Sequence, residues 1–135
     1  MNKNFSLNIR VYFEDTDAGG VVYYANYLRY LERARSEWLR AMGFDQRKLM
    51  DETGLGFAVR SITAEYLKPA RLDDQLRVAC GIKMLGRAQV VFDQHVERGE
   101  DTLLTATVRL ACMDLARGKA AAVPLDIYEQ ISKLT

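Results

Sequence analysis

The stretch from Glu14 to Tyr27, EDTDAGGVVYYANY, places three carboxylates (Glu14, Asp15 and Asp17) and two glycines (Gly19 and Gly20) directly ahead of apolar and aromatic residues. Carboxylates in such a place can act as general base or nucleophile toward a carbonyl group. A helical periodicity begins at Asn26, and a helix start presents unsatisfied N–H groups and roughly half a positive charge. Those groups suit the oxyanion of acyl transfer. The glycines let the chain turn sharply and let a substrate approach without a Cβ in the way. A plainer reading stands beside this one. Asp-x-x-Gly is turn chemistry, so Asp17 also reads as an aspartate that closes a turn, Glu14 and Asp15 as solvated or salt-bridged, and Asn26 as a helix N-cap.

The elements that must hold these residues follow from the periodicities. Residues 5–13 alternate loosely and predict a strand ending in the acidic turn. From Asn26, the positions Tyr27, Tyr30 or Leu31, Ala34, Trp38 and Ala41 recur at helical spacing, opposite a stripe of Arg29, Arg33, Ser36 and Arg40. Leu28, Leu39 and Met42 widen the apolar face beyond what one neighbour covers, so a sheet is expected to wrap this helix. Gly43 stops it, and a short helical turn over 44–51 follows. Residues 57–67 are β-branched and aromatic and predict a strand, ended by Pro69. Period-two alternation then runs through Leu76, Val78, Cys80, Ile82 and Met84, through Ala88, Val90, Phe92 and Val96, and through Leu104, Ala106, Val108, Leu110 and Cys112. A short KAAAV strand and an amphipathic helix after Pro124 close the chain. The predicted fold class is α+β, one long central helix wrapped by a curled antiparallel sheet of about five strands, in a single domain over 1–135. Unpaired sheet edges predict a homo-oligomer, a dimer at least, with a homotetramer expected.

Composition narrows the function. With 19 Lys and Arg against 18 Asp and Glu the net charge is +1, so no general field draws nucleic acid or an anionic membrane surface. No secretory h-region and no apolar run near ~20 residues is present, which predicts a soluble, cytoplasmic protein without a membrane span. Cys80 and Cys112 stand apart, without a CxxC pair, and read as reduced core residues. Neither a metal nor a redox cofactor is expected. His95, the sole histidine, falls on a polar strand face with Asp93 and Glu97, which excludes a Ser-His-Asp or Cys-His triad on ordinary geometry.

Read as D-x-D-x-x-G-x-V-x-Y-x-N-Y and followed by LERAR, the span Asp15–Tyr27 resembles the hotdog-fold acyl-CoA thioesterases of the 4-hydroxybenzoyl-CoA thioesterase type. The resemblance also takes in EYLKPARLDD at 65–74 and the final strands, and is closest to the branch that includes the Tol-Pal-associated acyl-CoA thioesterase. It implies the hotdog fold and hydrolysis of an acyl-CoA to the free acid and CoA. It further implies that Asp17 is the catalytic carboxylate and that the Tyr24 backbone N–H, at the start of the central helix, faces the thioester oxygen. Members of that branch often carry His where this chain has Tyr24, so no catalytic His is carried over; the 4-hydroxybenzoyl-CoA enzyme has Tyr there.

Asp17 has two mechanistic readings, base on water or nucleophile. A covalent anhydride tends to revert, because a carboxylate of pKa ~3.9 leaves more readily than a thiolate of pKa ~8.5. A base of so low a pKa needs upward tuning, which Glu14 and Asp15 would supply by like-charge repulsion. Gly20, Val22 and Tyr27 are candidate substrate-contacting residues. Lys68 and Arg87 are candidates for the CoA phosphates, with Arg71 beside Lys68 in LKPAR. The rival reading is a non-catalytic acyl-CoA or acyl-carrier binding module using the same pocket.

Overall fold

The computed structural model describes residues 5–134. Strand β1 (Phe5–Arg10) leads through a 3-10 turn at Phe13–Asp15 and the acidic loop into the long helix α1 (Asn26–Ala41) and the short α2 (Gln46–Thr53). Then come β2 (Leu55–Tyr66), β3 (Gln75–Leu85), β4 (Gln89–Arg98), β5 (Asp101–Asp114), the two-residue β6 (Lys119–Ala120) and α3 (Leu125–Ser132). The strands form one antiparallel sheet in the order β1-β3-β4-β5-β2, with β6 added on β5.

Strand β1 is shorter than its pattern predicts. Beyond Arg10 the chain folds into a turn closed by the Asp15 N–H on the Tyr12 carbonyl and the Thr16 N–H on the Phe13 carbonyl. Tyr12 and Phe13 are therefore left exposed. The alternation of β3 holds as far as Ile82, after which a register slip turns Met84 outward. Asp45 caps α2, accepting from the Arg47 and Lys48 N–H groups, and Gly54 ends it in the left-handed region at φ 71°. Pro124 stands at the N-cap of α3.

Helix α1 lies on the concave face of the sheet against β1 and β3. It buries Tyr27, Tyr30, Leu31, Ala34, Trp38 and Leu39, as the spacing predicts, whereas Ala41 is exposed. Trp38 packs edge-on to Phe92 with ring centroids 5.2 Å apart. Burying each such large side chain contributes about 1.5–3 kcal/mol. Both cysteines are buried and unpaired, and burial pushes the Cys80 thiol up to about 12. Among the described residues no helix is long and apolar enough to cross a membrane.

The sheet has two ends, and they position everything that follows. At one, β1 finishes, β3 starts, β4 turns into β5 and β2 finishes at Tyr66. At the other lie the β3–β4 hairpin, the start of β2 and the finish of β5. Helix α1 runs from the first end to the second, since Tyr27 reaches Ala70, Ala34 meets Cys80 and Trp38 meets Phe92.

Candidate active site

The acidic loop is a hairpin whose legs are tied at several points. Thr16 pairs with Val22, and the Tyr23 N–H donates to the Asp15 carbonyl at 3.0 Å. At the tip, the Asp17 N–H donates to the Val21 carbonyl at 2.9 Å and the Gly20 N–H to the Asp17 carbonyl at 3.0 Å. Gly20 adopts φ 79°, which a side chain would oppose. Asp17 Oδ1 accepts from the Gly19 N–H at 2.8 Å and the Val21 N–H at 3.4 Å. Asp17 thus does close the turn, as its sequence context suggests, but this uses only one carboxylate oxygen. Oδ2 has no partner among the described residues, and the residue is exposed. One oxygen fixes the orientation while the other stays available.

The segment after β2 pins this loop to the sheet. The Val22 N–H donates to the Ala70 carbonyl at 2.9 Å, Val21 pairs with Arg71, and the Ala70 N–H donates to the Tyr27 hydroxyl at 3.0 Å. Asp74 holds the segment in turn, its Oδ2 accepting from the Arg71 N–H at 2.8 Å and from Arg98 Nη1 at 2.7 Å. Burial works to raise the Asp74 pKa, but the bonds from Arg98 and the Arg71 N–H outweigh it and hold the carboxyl below its ordinary value. Arg98 also donates to the Pro69 carbonyl at 3.2 Å.

At the base of the loop, Asn26 is not the N-cap its residue type predicts. Ala25 takes that position, without a side-chain cap, and Asn26 is the first residue of α1. Its Nδ2 instead donates to the Asp15 carbonyl at 2.9 Å, tying the loop to the helix. The Tyr24 N–H has no hydrogen-bond partner among the described residues. The Tyr24 carbonyl accepts the Tyr66 hydroxyl at 2.9 Å, which fixes the adjoining peptide. Tyr24 stands one residue before the N-cap, so this unused N–H lies on an exposed residue just ahead of the positive end of α1. Asp15 is likewise held through one oxygen, its Oδ2 accepting from the Tyr12 N–H at 2.9 Å, but it is less exposed than Asp17.

Tyrosines surround this entrance. Tyr23 and Tyr24 pack at 4.8 Å, Tyr24 and Tyr66 at 6.5 Å, and Tyr27 and Tyr66 at 5.5 Å between ring centroids. Sequence reasoning missed Tyr66, for which the only signal is an aromatic residue at a strand end. Tyr30 lies deeper, its hydroxyl buried without a well-formed hydrogen bond among the described residues, and burial first, then the nearby Asp15 carboxylate, raises its pKa. Of the other candidates, Gly20 is exposed at the loop tip, while Val22 and Tyr27 are only 4% and 3% exposed and support the wall from behind. Lys68 shares this end of the sheet, its Nζ paired with Asp101 Oδ1 at 3.0 Å. Arg87 sits in the β3–β4 hairpin at the opposite end, roughly 30 Å away along β3, and its side chain has no partner among the described residues. His95 is half-buried, with Nε2 3.3 Å from Glu97 Oε2. Among the described residues no group of three or more His, Cys, Asp or Glu could hold a metal ion.

The family model described as the thioesterase-like superfamily matches residues 11–131. Over 127 residues the chain is 42% identical to the acyl-CoA thioesterase YbgC of Haemophilus influenzae, covering 94% of this chain and 93% of that one. It is 44% identical over 130 residues to the acyl-CoA thioester hydrolase YbgC of Escherichia coli O6:H1, covering 96% of each. A crystal structure of an Asp-to-Asn variant of 4-hydroxybenzoyl CoA thioesterase, complexed with 4-hydroxybenzoyl CoA, superposes with a TM-score of 0.87 at 28% identity, over 95% of this chain and 98% of that one.

Proposed function

The chain belongs to the thioesterase-like superfamily and hydrolyses acyl-CoA thioesters to the free acid and CoA, and we propose that Asp17 and the Tyr24 N–H carry the reaction. The observation behind this reading is an exposed carboxylate, oriented through one oxygen, on a loop that runs into the start of a helix with an unused N–H. The N–H stabilises negative charge as it develops on the thioester oxygen, where one such donor is worth ~10²–10³ in rate. Asp17 then takes a proton from water as water adds to the carbonyl carbon, or adds to it directly. In both routes the tetrahedral intermediate collapses by expelling the CoA thiolate; the first route gives the free acid at once, and in the second water then adds to the acyl–Asp17 anhydride, whose breakdown releases the acid and restores the carboxylate.

Gly20 at the loop tip leaves room for the thioester, with Val22 and Tyr27 backing the wall. Lys68 and Arg87 contact the CoA phosphates. Because Arg87 lies at the far end of its own sheet, this assignment fits a site to which a second protomer brings it. Strand β2 supports such an assembly: it is a free edge of 12 residues, mostly exposed, with Val59 and Tyr66 near half exposure. We assign a homo-oligomer, a dimer at least and by extension a homotetramer, of one hotdog domain over 1–135. A single core cluster running from β1 to α3 supports the single domain. A cytoplasmic setting fits a CoA ester substrate and two reduced, buried cysteines.

Release of thiol across a panel of short, long and aromatic acyl-CoAs tests hydrolysis and ranks the acyl groups. Binding of these esters without any thiol release would make the protein a binding module instead.

A further inference from the structure

The acidic loop and the start of α1 are both referred to one buried residue, Ala70. Its carbonyl accepts the Val22 N–H at 2.9 Å, and its N–H donates to the Tyr27 hydroxyl at 3.0 Å. Val21, paired with Arg71, carries that reference on to Asp17: its carbonyl accepts the Asp17 N–H at 2.9 Å, and its own N–H reaches Asp17 Oδ1 at 3.4 Å. A shift of residues 69–71 therefore moves Asp17 relative to the Tyr24 N–H.

Local structure alone does not hold 69–71 in place. The turn that follows contains Asp73 at φ 68°, in the left-handed region that a residue with a side chain enters only when its surroundings impose it. On one side the end of β1 grips this turn. The Val11 N–H donates to the Asp74 carbonyl at 2.9 Å, the Asp73 N–H to the Val11 carbonyl at 3.0 Å, and Arg10 Nη1 to the Asp73 carbonyl at 2.8 Å. On the other side stands one ion pair. Asp74 Oδ2 accepts both the Arg71 N–H at 2.8 Å and Arg98 Nη1 at 2.7 Å, and the same Nη1 reaches the Pro69 carbonyl at 3.2 Å. The pair thus clasps the segment at residues 69 and 71, with Ala70 between them. Asp101 is a weaker rival for the guanidinium, since its Oδ2 is 3.8 Å from Arg98 Nη2 and its Oδ1 is bonded to Lys68 at 3.0 Å.

We propose that Asp74 and Arg98 are positioning residues for the hydrolysis, fixing where Asp17 stands relative to the Tyr24 N–H. This rests on the roles given above to Asp17 and Tyr24. Among the described residues neither Asp74 nor Arg98 bonds to Asp17 or Tyr24, so both act through the segment they clasp. Misplacing a reacting group by about 1 Å costs up to ~10²-fold in rate. A loosened clasp removes no contact with the ester, so its effect falls on kcat rather than on KM.

Thiol release from an acyl-CoA is measured on the intact protein for Asp74→Ala, which deletes the acceptor of both bonds, and for Asp74→Asn, which keeps an oxygen for them. Each variant is assayed well below its own melting temperature. Asp74→Ala should lower kcat by ~10-fold or more with KM within about 3-fold, and Asp74→Asn should recover most of that loss. In an Asp17→Asn background, Asp74→Ala should change the remaining turnover by less than about 2-fold, because nothing is left for the clasp to position. If Asp74→Ala does not fold, Arg98→Met removes the other half of the pair and should lower kcat by ~3-fold or more in the presence of Asp17 and by less than about 2-fold without it. Unchanged kcat in the folded variant overturns the proposal, and so does an effect on KM alone. An equal loss with and without Asp17 also overturns it, since that is what a pair serving only stability would give. Near-native turnover in Asp17→Asn alone overturns the reading of the acidic loop and this proposal with it, and is told apart because it involves no change at Asp74.

Discussion

Replacing Asp17 by Asn removes the negative charge but keeps an Oδ1 acceptor for the Gly19 and Val21 N–H groups. The structural loss is the difference between two charge-assisted bonds and two neutral ones, one of them already long at 3.4 Å. At ~1.5–3 kcal/mol for a bond to a charged group against ~0.5–1.5 kcal/mol for a neutral one, and with the loop exposed, about 1 kcal/mol is expected. That corresponds to a fall in Tm of about 3–5 °C for a chain of this size. Turnover should fall far more, by at least ~10²-fold, because neither a base nor a nucleophile remains. Asp17→Ala separates the two contributions: it deletes the acceptor, so it should cost a further ~0.5–2 kcal/mol while leaving turnover as low as in the Asn variant. Thiol release from an acyl-CoA and thermal melts on the same preparations give both quantities, and the burial of Cys80 and Cys112 keeps the protein's own thiols out of the colorimetric signal. An Asn variant within about 10-fold of wild-type turnover would refute the assignment and leave Asp17 a turn residue.

Tyr66→Phe removes the hydroxyl that holds the Tyr24 carbonyl. Circular-dichroism melts should show a loss of about 0.5–1.5 kcal/mol, and kcat should fall several-fold with little change in KM; unchanged kcat would free Tyr66 of any positioning role. Arg87→Ala should raise KM for CoA esters by up to ~10-fold while leaving thioesters without the nucleotide unaffected, and an equal effect on both would remove Arg87 from phosphate binding. Asp74 has a folded-state pKa below its ordinary 3.8, so its stabilisation is complete above that value and is lost as pH falls through the depressed one. Urea midpoints should therefore drop below about pH 4 in the wild type, and Asp74→Asn, losing about 1–2 kcal/mol at pH 7, should flatten that part of the curve.

The parts of the site legible in the sequence are those made by short-range chemistry. The turn around Asp17 needs Asp, Gly and Gly within a few residues, and it forms where the pattern places it. Asn26 shows how far residue type reaches: a donor to the Asp15 carbonyl and an acceptor at an N-cap look the same in one dimension. Tyr66 and the Val22–Ala70 and Tyr27–Ala70 bonds depend on long-range contacts that no local period encodes. Arg35 occupies a buried position of α1, four residues from both Leu31 and Leu39, and nothing in the local sequence shows what accepts from its guanidinium there. Gln94 likewise stands between Phe92 and Val96 on the buried face of β4, and only its amide bonds to Arg35 and Leu31 explain it. The segment 57–67 shows no clean period-two pattern because β2 is an edge, mostly exposed on both faces.

The bracing of the acidic loop also sets a timetable for synthesis. Asp17, Tyr24 and all of α1 leave the ribosome early, but the groups that hold the loop, Ala70, Arg71, Asp74 and Arg98, come much later in the chain. At ~5–20 residues per second they lag by several seconds, during which α1 has no sheet to lie against. Strand β1 waits likewise for β3, and β2 for β5. An unfinished chain thus holds both proposed catalytic groups before it holds the residues that brace them.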